Sequence, residues 1–328
     1  MFQISLKNNK TYQCSENETL IEGARKSGII LEHSCLSGRC SSCMVMVDSG
    51  WSEPTTVELA LSEKEREQGF ILSCVRTPKS DMVIQAEDLG EYKIAVPKTF
   101  PAKINKIERL TEDVLRVELR FPPSQQLNFI AGQYVNLIKG NIKRSYSLGN
   151  PSNENLYIEL FIKKYPGGLL SHYWFNEAKI NDLLRIEGPR GTFFLRNNDN
   201  YKNIIFLATG TGIAPVKSIL ESITGLSKDY KNKNIYVFWG VKYFKDLFWT
   251  PEKLCLNIKY FPVLSREKTP STEVGHIQDV LLSKNIDLKE SIVYACGSND
   301  MIHEAKNKLI ENGLQDINFY SDAFVTSN

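Results

Sequence analysis

Residues 33–43 read His-Ser-Cys-Leu-Ser-Gly-Arg-Cys-Ser-Ser-Cys, and one further cysteine follows alone at position 74. Three thiols on one short loop and a distant fourth have the C-x4-C-x2-C…C spacing of a plant-type 2Fe-2S cluster. Thiolates are the soft ligands that such clusters take, and Gly38 lets the loop backbone pass close to the inorganic sulfides. The pattern predicts one-electron chemistry. The predicted ligands are Cys35, Cys40, Cys43 and Cys74.

A structural zinc site is the competing interpretation of these cysteines. Zinc patterns usually supply paired ligands, two to four residues apart, on both sides of the site. Cys74 stands alone, which favours the cluster. Cys14 and Cys255 lie outside the pattern, and we expect both to be small buried side chains.

Composition and charge narrow the class of protein. The chain has 328 residues, 42% of them hydrophobic, which predicts two or three domains. A formal net charge of +2, without a concentrated basic stretch, argues against nucleic acid as a partner. Residues 1–10 lack the pattern of a signal peptide, and no run of about 18 apolar residues occurs. We therefore expect a cytoplasmic protein with no membrane segment. A monomer that forms transient complexes is a separate expectation.

The order of the predicted elements divides the chain into three domains. Residues 1–90 predict a small sheet crossed by a helix, and residues 91–101, with two prolines, predict a linker. Residues 102–197 show period-two alternation in short runs separated by turn residues, as in an antiparallel barrel. Residues 198–328 alternate apolar strands with helices, which predicts a doubly wound parallel sheet that binds a nucleotide.

The barrel contains a four-residue segment suited to a phosphorylated aromatic ligand. Strand alternation places Arg144 and Tyr146 on one face and Ser145 and Ser147 on the other. Arginine can pair with a phosphate, tyrosine can stack on a flat ring and serine can hydrogen-bond a ring nitrogen. From these residues alone, an ordinary strand remains the alternative.

Two glycine-containing turns are candidates for binding a pyrophosphate. Gly167-Gly-Leu-Leu-Ser171 enters a predicted helix, and Gly210-Thr-Gly-Ile-Ala-Pro215 follows a predicted apolar strand and opens another helix. A helix amino terminus offers N–H groups and the positive end of its dipole. A capped turn is the alternative for the first segment. The second lacks the third glycine of the dinucleotide fingerprint, so an ordinary strand-to-helix turn stays open.

Cys296-Gly297 ends another predicted strand of the parallel sheet. In sheets of this class the carboxyl ends of the strands line the ligand crevice, which would place Cys296 near a nicotinamide. A buried structural cysteine is the alternative.

In order along the chain, these motifs resemble those of ferredoxin-NADP reductase superfamily members that begin with a plant-type ferredoxin domain. Within that superfamily the chain is most similar to the CDP-6-deoxy-Δ3,4-glucoseen reductases, followed by the reductase components of aromatic and hydrocarbon oxygenases. The resemblance spans nearly the whole chain. It rests on Ala131-Gly-Gln-Tyr134, Arg144-Ser-Tyr-Ser147, Arg185-Ile-Glu-Gly-Pro189, Gly191-Thr-Phe-Phe194 and Ser321-Asp-Ala-Phe-Val325.

The resemblance implies a multidomain α+β and α/β protein. Residues 1–90 would form a β-grasp ferredoxin domain, and residues 102–197 an antiparallel Greek-key β-barrel that binds FAD. Residues 198–328 would form a doubly wound parallel sheet that binds NAD(P).

The resemblance also implies roles for individual residues in the FAD site. Arg144 would contact the FAD diphosphate, Tyr146 would stack on the isoalloxazine, and Ser147 would hydrogen-bond near its N5. Gly168 and Ser171 would hold the pyrophosphate. The neighbouring residues in these motifs are Ser145 and Gly167.

A second set of residues would bind the pyridine nucleotide. Cys296 and Gly297 would lie beside the nicotinamide. Asp322 and Phe324 match the family's acid-x-Phe ending and, with Ser147 and Cys296, would be the catalytic residues. Glutamate is commoner than aspartate in that ending, and this departure leaves the role of Asp322 open. The remaining nucleotide-binding residues are Gly210, Thr211, Gly212 and Pro215.

Nucleotide preference is a separate question. Ser265-Arg266 resembles the pair that holds the 2′-phosphate of NADPH in some members, but the lysine and tyrosine of that pattern do not follow at matching spacing. The most similar group uses NADH, so NADH is the expected donor and NADPH the alternative.

The resemblance implies an electron relay from NADH through FAD and the 2Fe-2S cluster to a protein partner. That partner would be a pyridoxamine-phosphate-dependent dehydratase acting on a CDP-linked 4-keto-6-deoxyhexose, in dideoxysugar (lipopolysaccharide O-antigen) biosynthesis. An oxygenase component is the alternative partner. A scaffold protein that kept the folds without the cofactors is a third hypothesis, which the intact cysteine quartet disfavours.

Overall fold

The computed structural model describes residues 1–152, 157–197, 200–224, 230 and 232–324. The chain divides into two compact units, Met1–Ile94 and Ala95–Asn328. No helix among the described residues is long and apolar enough to cross a membrane.

The amino-terminal unit is a five-stranded sheet crossed by a helix. Its strands run in the order β2-β1-β7-β3-β5, with β1 and β7 parallel, and β4 pairs with β6 in a separate ribbon. The elements are β1 (Phe2–Leu6), β2 (Thr11–Cys14), α1 (Leu20–Lys26), β3 (Met44–Ser49), β4 (Ser52–Pro54), α2 (Glu63–Glu67), β5 (Phe70–Leu72), β6 (Arg76–Pro78) and β7 (Met82–Ile84).

Both helices of this unit begin at a capping box. The Thr19 hydroxyl accepts from the Glu22 N–H, and the Glu22 carboxylate accepts from the Thr19 N–H. Ser62 and Glu65 do the same at α2, as their spacing in the sequence predicts. Helix α1 buries one face against the sheet, whereas α2 has no buried residue. The cap therefore accounts for where α2 begins, although α2 contributes little to the core.

The second unit contains an antiparallel barrel and a parallel sheet. The barrel elements are β8 (Lys98–Arg109), β9 (Val114–Arg120), β10 (Tyr134–Lys139), β11 (Ile142–Ser147), β12 (Tyr157–Lys163), α3 (Leu169–His172) and β13 (Leu183–Arg190). Their sheet order is β11-β10-β13-β8-β9-β12. An antiparallel bridge between Leu148 and Leu160, with the Gly149 N–H donating to the Glu159 carbonyl at 2.8 Å, joins the two end strands and closes the barrel.

Strand β8 begins at Lys98, inside the stretch 91–101 that the sequence predicts as a linker. Pro101 pairs only with Arg185 of β13, because pairing with β9 starts at Lys103. Proline lacks the N–H that a second neighbouring strand would require, so it is tolerated where one side of the strand is still unpaired. The proline here does not prevent strand formation.

The parallel sheet has the order β17-β16-β15-β14-β18-β19, and every pair in it is parallel. The chain order reverses between β14 and β18, which makes their carboxyl ends the usual place for a nucleotide. The elements are β14 (Asn203–Thr209), α4 (Ile213–Thr224), β15 (Asn234–Val241), β16 (Ile258–Leu264), β17 (Glu273–Val274), α5 (Ile277–Ser283), β18 (Ser291–Gly297), α6 (Asn299–Glu311) and β19 (Phe319–Ala323).

The barrel and the parallel sheet share one hydrophobic cluster. Phe161 and Phe193 of the barrel belong to the same buried group as Ile213 and Ile219 of α4. The two domains of this unit are therefore packed together by apolar contacts as well as joined by the chain.

Gly132 lies in that shared region, and its backbone conformation excludes a side chain. Its φ is +102°, and a Cβ would lie 2.2 Å from the Phe193 carbonyl oxygen. Gly140 also has positive φ, at +57°, but a Cβ there meets nothing within 4 Å.

We expect Gly132→Ala to lower the free energy of unfolding of this unit by about 3 kcal/mol or more, because strain and steric overlap add. Gly140→Ala is the matched control and should cost about 1 kcal/mol from strain alone. Urea unfolding followed by circular dichroism measures both. Equal stability of the two variants would show that the predicted overlap with Phe193 is absent.

Candidate functional site

The four predicted cluster ligands lie as two pairs of thiols. The Cys35 and Cys40 sulfur atoms are 3.1 Å apart. The Ser37 N–H donates to Cys35 Sγ and the Cys35 N–H donates to Cys40 Sγ, each at 3.4 Å. The loop backbone therefore already points N–H groups at the sulfur atoms.

Cys43 and Cys74 form the second pair, joined by a hydrogen bond between their thiols. The Ser73 hydroxyl donates to the Cys43 carbonyl at 2.9 Å, and the Ser73 N–H donates to the same oxygen at 3.1 Å. These bonds hold the turn that carries Cys74 against the end of the cysteine loop.

Each pair favours one thiolate. The hydrogen bond from the Cys40 thiol, with a further one from the Ser37 N–H, lowers the pKa of Cys35 to about 5. The pKa of Cys74 is lowered by Cys43 and by the Gly38 N–H. The pKa values of Cys40 and Cys43 are raised by their partners and by burial.

This arrangement fits a two-iron cluster. Among the described residues, no three His, Cys, Asp or Glu side chains converge on one point that could hold a single metal ion. A 2Fe-2S cluster does not require such a group, because each iron takes only two protein thiolates and the inorganic sulfides complete its shell. Gly38, at φ +70°, leaves only 3.1 Å between a would-be Cβ and the Val57 carbonyl oxygen, so the loop passes there only as glycine.

The predicted FAD-binding strand is β11. Tyr146 is half-buried against the barrel core, and burial raises the pKa of its hydroxyl to about 12. The Ser145 hydroxyl donates to Asn136 Oδ1 at 2.8 Å. Side-chain exposure alternates from Ile142 to Tyr146 as predicted, but Ser147 at the strand end is buried.

A cleft of about 510 Å³ lies beside the predicted pyrophosphate loop. Gly167 adopts φ +73°, and Gly168 precedes the first residue of α3. The Ser171 hydroxyl accepts from the Tyr165 N–H at 2.9 Å and thereby fixes the loop. Lysine side chains at positions 139 and 164 contribute positive charge to the lining.

The glycine turn at the end of β14 packs directly on the end of β18. A Cβ on Gly212 would lie 2.3 Å from the Cys296 carbonyl oxygen, so only glycine fits. The Trp239 indole N–H donates to the Gly210 carbonyl at 2.8 Å. The structure thus brings the predicted nucleotide turn and Cys296 together at the point where the strand order reverses.

The Cys296 side chain is fully buried and lies opposite Asp322 in the pairing of β18 with β19. Burial raises the pKa of its thiol, and the Asp322 carboxylate adds to the effect. The Phe324 N–H donates to the Gly297 carbonyl at 2.8 Å, which holds the tail against the residue after Cys296. Val325, the last residue of the tail motif, lies outside the described residues.

Ser265 and Arg266 follow β16 at the same edge of the sheet and are both exposed. Their N–H groups donate to the Val241 and Lys242 carbonyls at 3.0 and 3.1 Å. Pro215 is buried in the first turn of α4, where a helix needs no N–H donor from it. Thr211 is buried between the two turn glycines.

One sequence-based expectation about the other cysteines is wrong. Cys14 is buried as predicted, against the backbone of Gly23, but Cys255 is exposed. Cys255 follows no periodic apolar segment, and it lies in the irregular stretch between Val241 and β16. A lone cysteine in such a stretch carries no signal of burial.

Three family models match successive parts of the chain. A 2Fe-2S iron-sulfur cluster binding domain matches residues 4–79, an oxidoreductase FAD-binding domain matches 101–195, and an oxidoreductase NAD-binding domain matches 206–307. These matches confirm the predicted fold class and the predicted cofactors, 2Fe-2S, FAD and NADH. The chain is an oxidoreductase.

Curated relatives extend over nearly the whole chain. It is 38% identical to the CDP-6-deoxy-L-threo-D-glycero-4-hexulose-3-dehydrase reductase of Yersinia pestis, over 94% of each chain. It is 35% identical to protein RfbI of Salmonella typhimurium, over 98% of this chain and 95% of the relative. The toluate 1,2-dioxygenase electron transfer component of Pseudomonas putida is 29% identical, over 94% and 93%.

Solved structures show the same fold. The Amycolatopsis cytochrome P450 reductase GcoB superposes with a TM-score of 0.74 at 24% identity, over 99% of both chains. A ferredoxin reductase in carbazole 1,9a-dioxygenase superposes with a TM-score of 0.69 at 23% identity, over 99% and 98%. At these identities the likeness concerns the fold alone.

We expect iodoacetamide at pH 8 to modify Cys255 quickly and to leave Cys296 unmodified until the protein unfolds. The reagent needs a thiolate, and because burial raises the pKa of Cys296, less thiolate is present at pH 8 than for an ordinary cysteine. Timed labelling followed by peptide mass spectrometry measures both sites. Cys255→Ser is the control that should lose the fast label, and equally fast labelling of Cys296 in folded protein would contradict the buried position.

Proposed function

We propose, given that this chain belongs to the family of CDP-6-deoxy-L-threo-D-glycero-4-hexulose-3-dehydrase reductases, that it passes electrons from NADH to a dehydratase of a CDP-linked 4-keto-6-deoxyhexose. That partner would be a pyridoxamine-phosphate-dependent enzyme of dideoxysugar biosynthesis. The similarity to the Yersinia reductase over 94% of both chains supports the proposal most directly. In coarser terms, the chain is a reductase that serves a redox partner.

The proposed division of labour follows the three predicted domains. Residues 1–90 would hold the cluster and residues 102–197 the flavin, with the flavin barrel already beginning at Lys98 of β8. Residues 198–328 would bind the pyridine nucleotide. We further propose that the protein is a monomer and meets its partner transiently.

The site residues already described are proposed to hold the cluster, FAD and the nucleotide. When bound, FAD would supply two-electron chemistry by accepting hydride from NADH, and the cluster would supply one-electron transfer. The two thiol pairs, Cys35 with Cys40 and Cys43 with Cys74, would each ligate one iron. The Ser37 N–H would stabilise the negative charge on the Cys35 sulfur.

In the second unit, the chain's own groups would orient the flavin and the nucleotide. Tyr146, half-buried against the barrel core, would present its ring for stacking on the isoalloxazine. Arg144 and the loop at Gly168 would hold the phosphates, and buried Ser147 would donate to a ring nitrogen. The Gly212 turn, which packs against Cys296, would bring the nicotinamide to the flavin ring.

NADH is the proposed donor. Ser265 and Arg266 are exposed at the carboxyl end of β16, where the ribose of a nucleotide bound at the switch point would extend. The lysine and tyrosine that accompany such a pair in a 2′-phosphate site do not follow at matching spacing, which favours NADH. Comparing the apparent KM for NADH and for NADPH tests this assignment. A lower KM for NADPH would reverse it.

A reductase component of an oxygenase is the second candidate function. The similarity to the toluate 1,2-dioxygenase component favours it, at lower identity than the first candidate. Reconstitution separates the two. NADH, this chain, a purified dehydratase and its CDP-sugar should together give NADH consumption and a 3-deoxy product, whereas an active dehydratase without product formation would move the assignment to an oxygenase.

We expect Cys40→Ser to leave the reduction of FAD by NADH intact while abolishing electron delivery to cytochrome c, a one-electron protein acceptor. The substitution removes one of four iron ligands and leaves the second unit untouched. Stopped-flow flavin absorbance and cytochrome c reduction measure the two steps, together with iron and labile sulfide content.

Cys255→Ser is the matched control, because it removes an exposed cysteine outside the loop. Full cytochrome c reduction by a Cys40→Ser protein that lacks cluster iron would refute the proposed electron route.

A further inference from the structure

We infer that Lys217 is a positioning residue for hydride transfer, because it ties the end of the flavin-binding strand to the helix that follows the nucleotide turn. The inference rests on the proposed function. It concerns how the flavin and the nicotinamide, which react in the first step, are held relative to each other. Lys217 itself would touch neither.

Lys217 lies in α4 and is directed at the barrel. Its Nζ donates to the Gly149 carbonyl at 2.8 Å and forms ion pairs with Glu159 at 2.8 Å and Glu221 at 2.9 Å. Its side chain is only 12% exposed. One hydrogen bond and two ion pairs therefore fix the position of this ammonium group.

Glu159 is the partner of Lys217 in the barrel. Its side chain is 4% exposed, and its other oxygen lies 2.7 Å from Arg116 Nε. A buried carboxylate is tolerated only when opposite charges compensate it, and here one comes from each domain. Glu159 also touches Gly149 closely, since a Cβ there would lie 3.1 Å from Glu159 Oε1.

Ser218 provides a second link beside the first. Its hydroxyl, fully buried, donates to the Asn150 carbonyl at 2.7 Å. The Asn150 side-chain oxygen in turn accepts from the Glu159 N–H at 2.7 Å. Residues 149 and 150 are thus held by both α4 and β12.

The two ends of this link lead to the two proposed binding sites. Gly149 follows Ser147 by two residues, and Ser147 ends the strand β11. Lys217 lies about 6 Å along the helix axis from the first residue of α4, which follows the Gly210–Gly212 turn. A shift at Lys217 would therefore change the separation between flavin and nicotinamide, and a misplacement of about 1 Å can slow a reaction about a hundredfold.

The test compares Lys217→Met, Lys217→Arg and the control Lys202→Met in FAD-loaded, cluster-containing protein. Lys202 forms a comparable ion pair with Glu290 at 2.7 Å, but its side chain is 69% exposed. Three quantities are measured: the limiting rate of flavin reduction by NADH, the dissociation constant of NADH, and the long-wavelength charge-transfer absorbance between reduced flavin and NAD⁺. The third is independent of turnover.

For Lys217→Met we expect the limiting rate to fall by about tenfold or more and the charge-transfer absorbance to weaken, with the FAD content and the NADH dissociation constant nearly unchanged. Lys217→Arg should recover much of both signals, and Lys202→Met should behave as wild type. An unchanged limiting rate and charge-transfer absorbance in Lys217→Met would overturn the inference. So would a rate that falls only in proportion to lost FAD, or an equal effect in Lys202→Met.

Ser218→Ala keeps the inference testable if Lys217→Met does not fold, because it removes a neutral hydrogen bond and leaves the ion pairs in place. A weaker loss of rate and of charge-transfer absorbance is expected, and wild-type values of both would overturn the inference. Wild-type protein whose flavin NADH cannot reduce would instead refute the proposed function, so the two failures are distinguishable.

Discussion

The geometry of the second unit depends on the ion pairs made by the carboxylate of Glu159. It is buried where β12 meets the chain leaving β11, and it is compensated by Arg116 from the barrel and Lys217 from the parallel-sheet domain. Removing either cation would leave this buried charge only partly compensated. The apolar cluster shared by the two domains also holds them together, but apolar packing is not directional. The ion pairs and hydrogen bonds to Gly149 and Asn150 select one arrangement among those that packing alone would allow.

In the amino-terminal unit, directional hydrogen bonds likewise fix the positions of the four cysteine ligands. Four sulfur atoms come from one loop and one distant turn, and Ser73 binds the turn to the loop through the Cys43 carbonyl. Backbone N–H groups at Ser37 and Gly38 point at the sulfurs of different pairs. The same polypeptide segment therefore fixes the ligands and adjusts their charge, which is the property that a one-electron carrier requires.

Features set by local chemistry could be predicted from the sequence. The cysteine spacing, the capping box at Ser62 and the strand-to-helix glycine turn at Gly210 each involve residues close together in the chain. Their physical basis is a short-range hydrogen bond or a backbone conformation, so a single sequence is sufficient to find them.

Features set by distant partners could not be predicted in this way. Lys217 is a charged residue on a helix, and such a residue is normally expected to be exposed to solvent. Only the fold places the buried carboxylate of Glu159 against it. The start of β8 within a proline-containing stretch depends on which side of the strand lacks a neighbour. The glycine turn and Cys296 can each be recognised as a sequence motif. The contact of Gly212 with the Cys296 carbonyl cannot, because it depends on which strands are neighbours in the sheet.

The shortest strand of the parallel sheet has a consequence for how the protein behaves at high concentration. Strand β17 consists of Glu273 and Val274 only, and it forms one outer border of the sheet. A border strand exposes unpaired backbone groups that can recruit the same strand from another copy, and the tendency grows with its length. Two residues, one of them charged, provide too short a template for such growth, so on this side the sheet is protected from polymerising into extended aggregates.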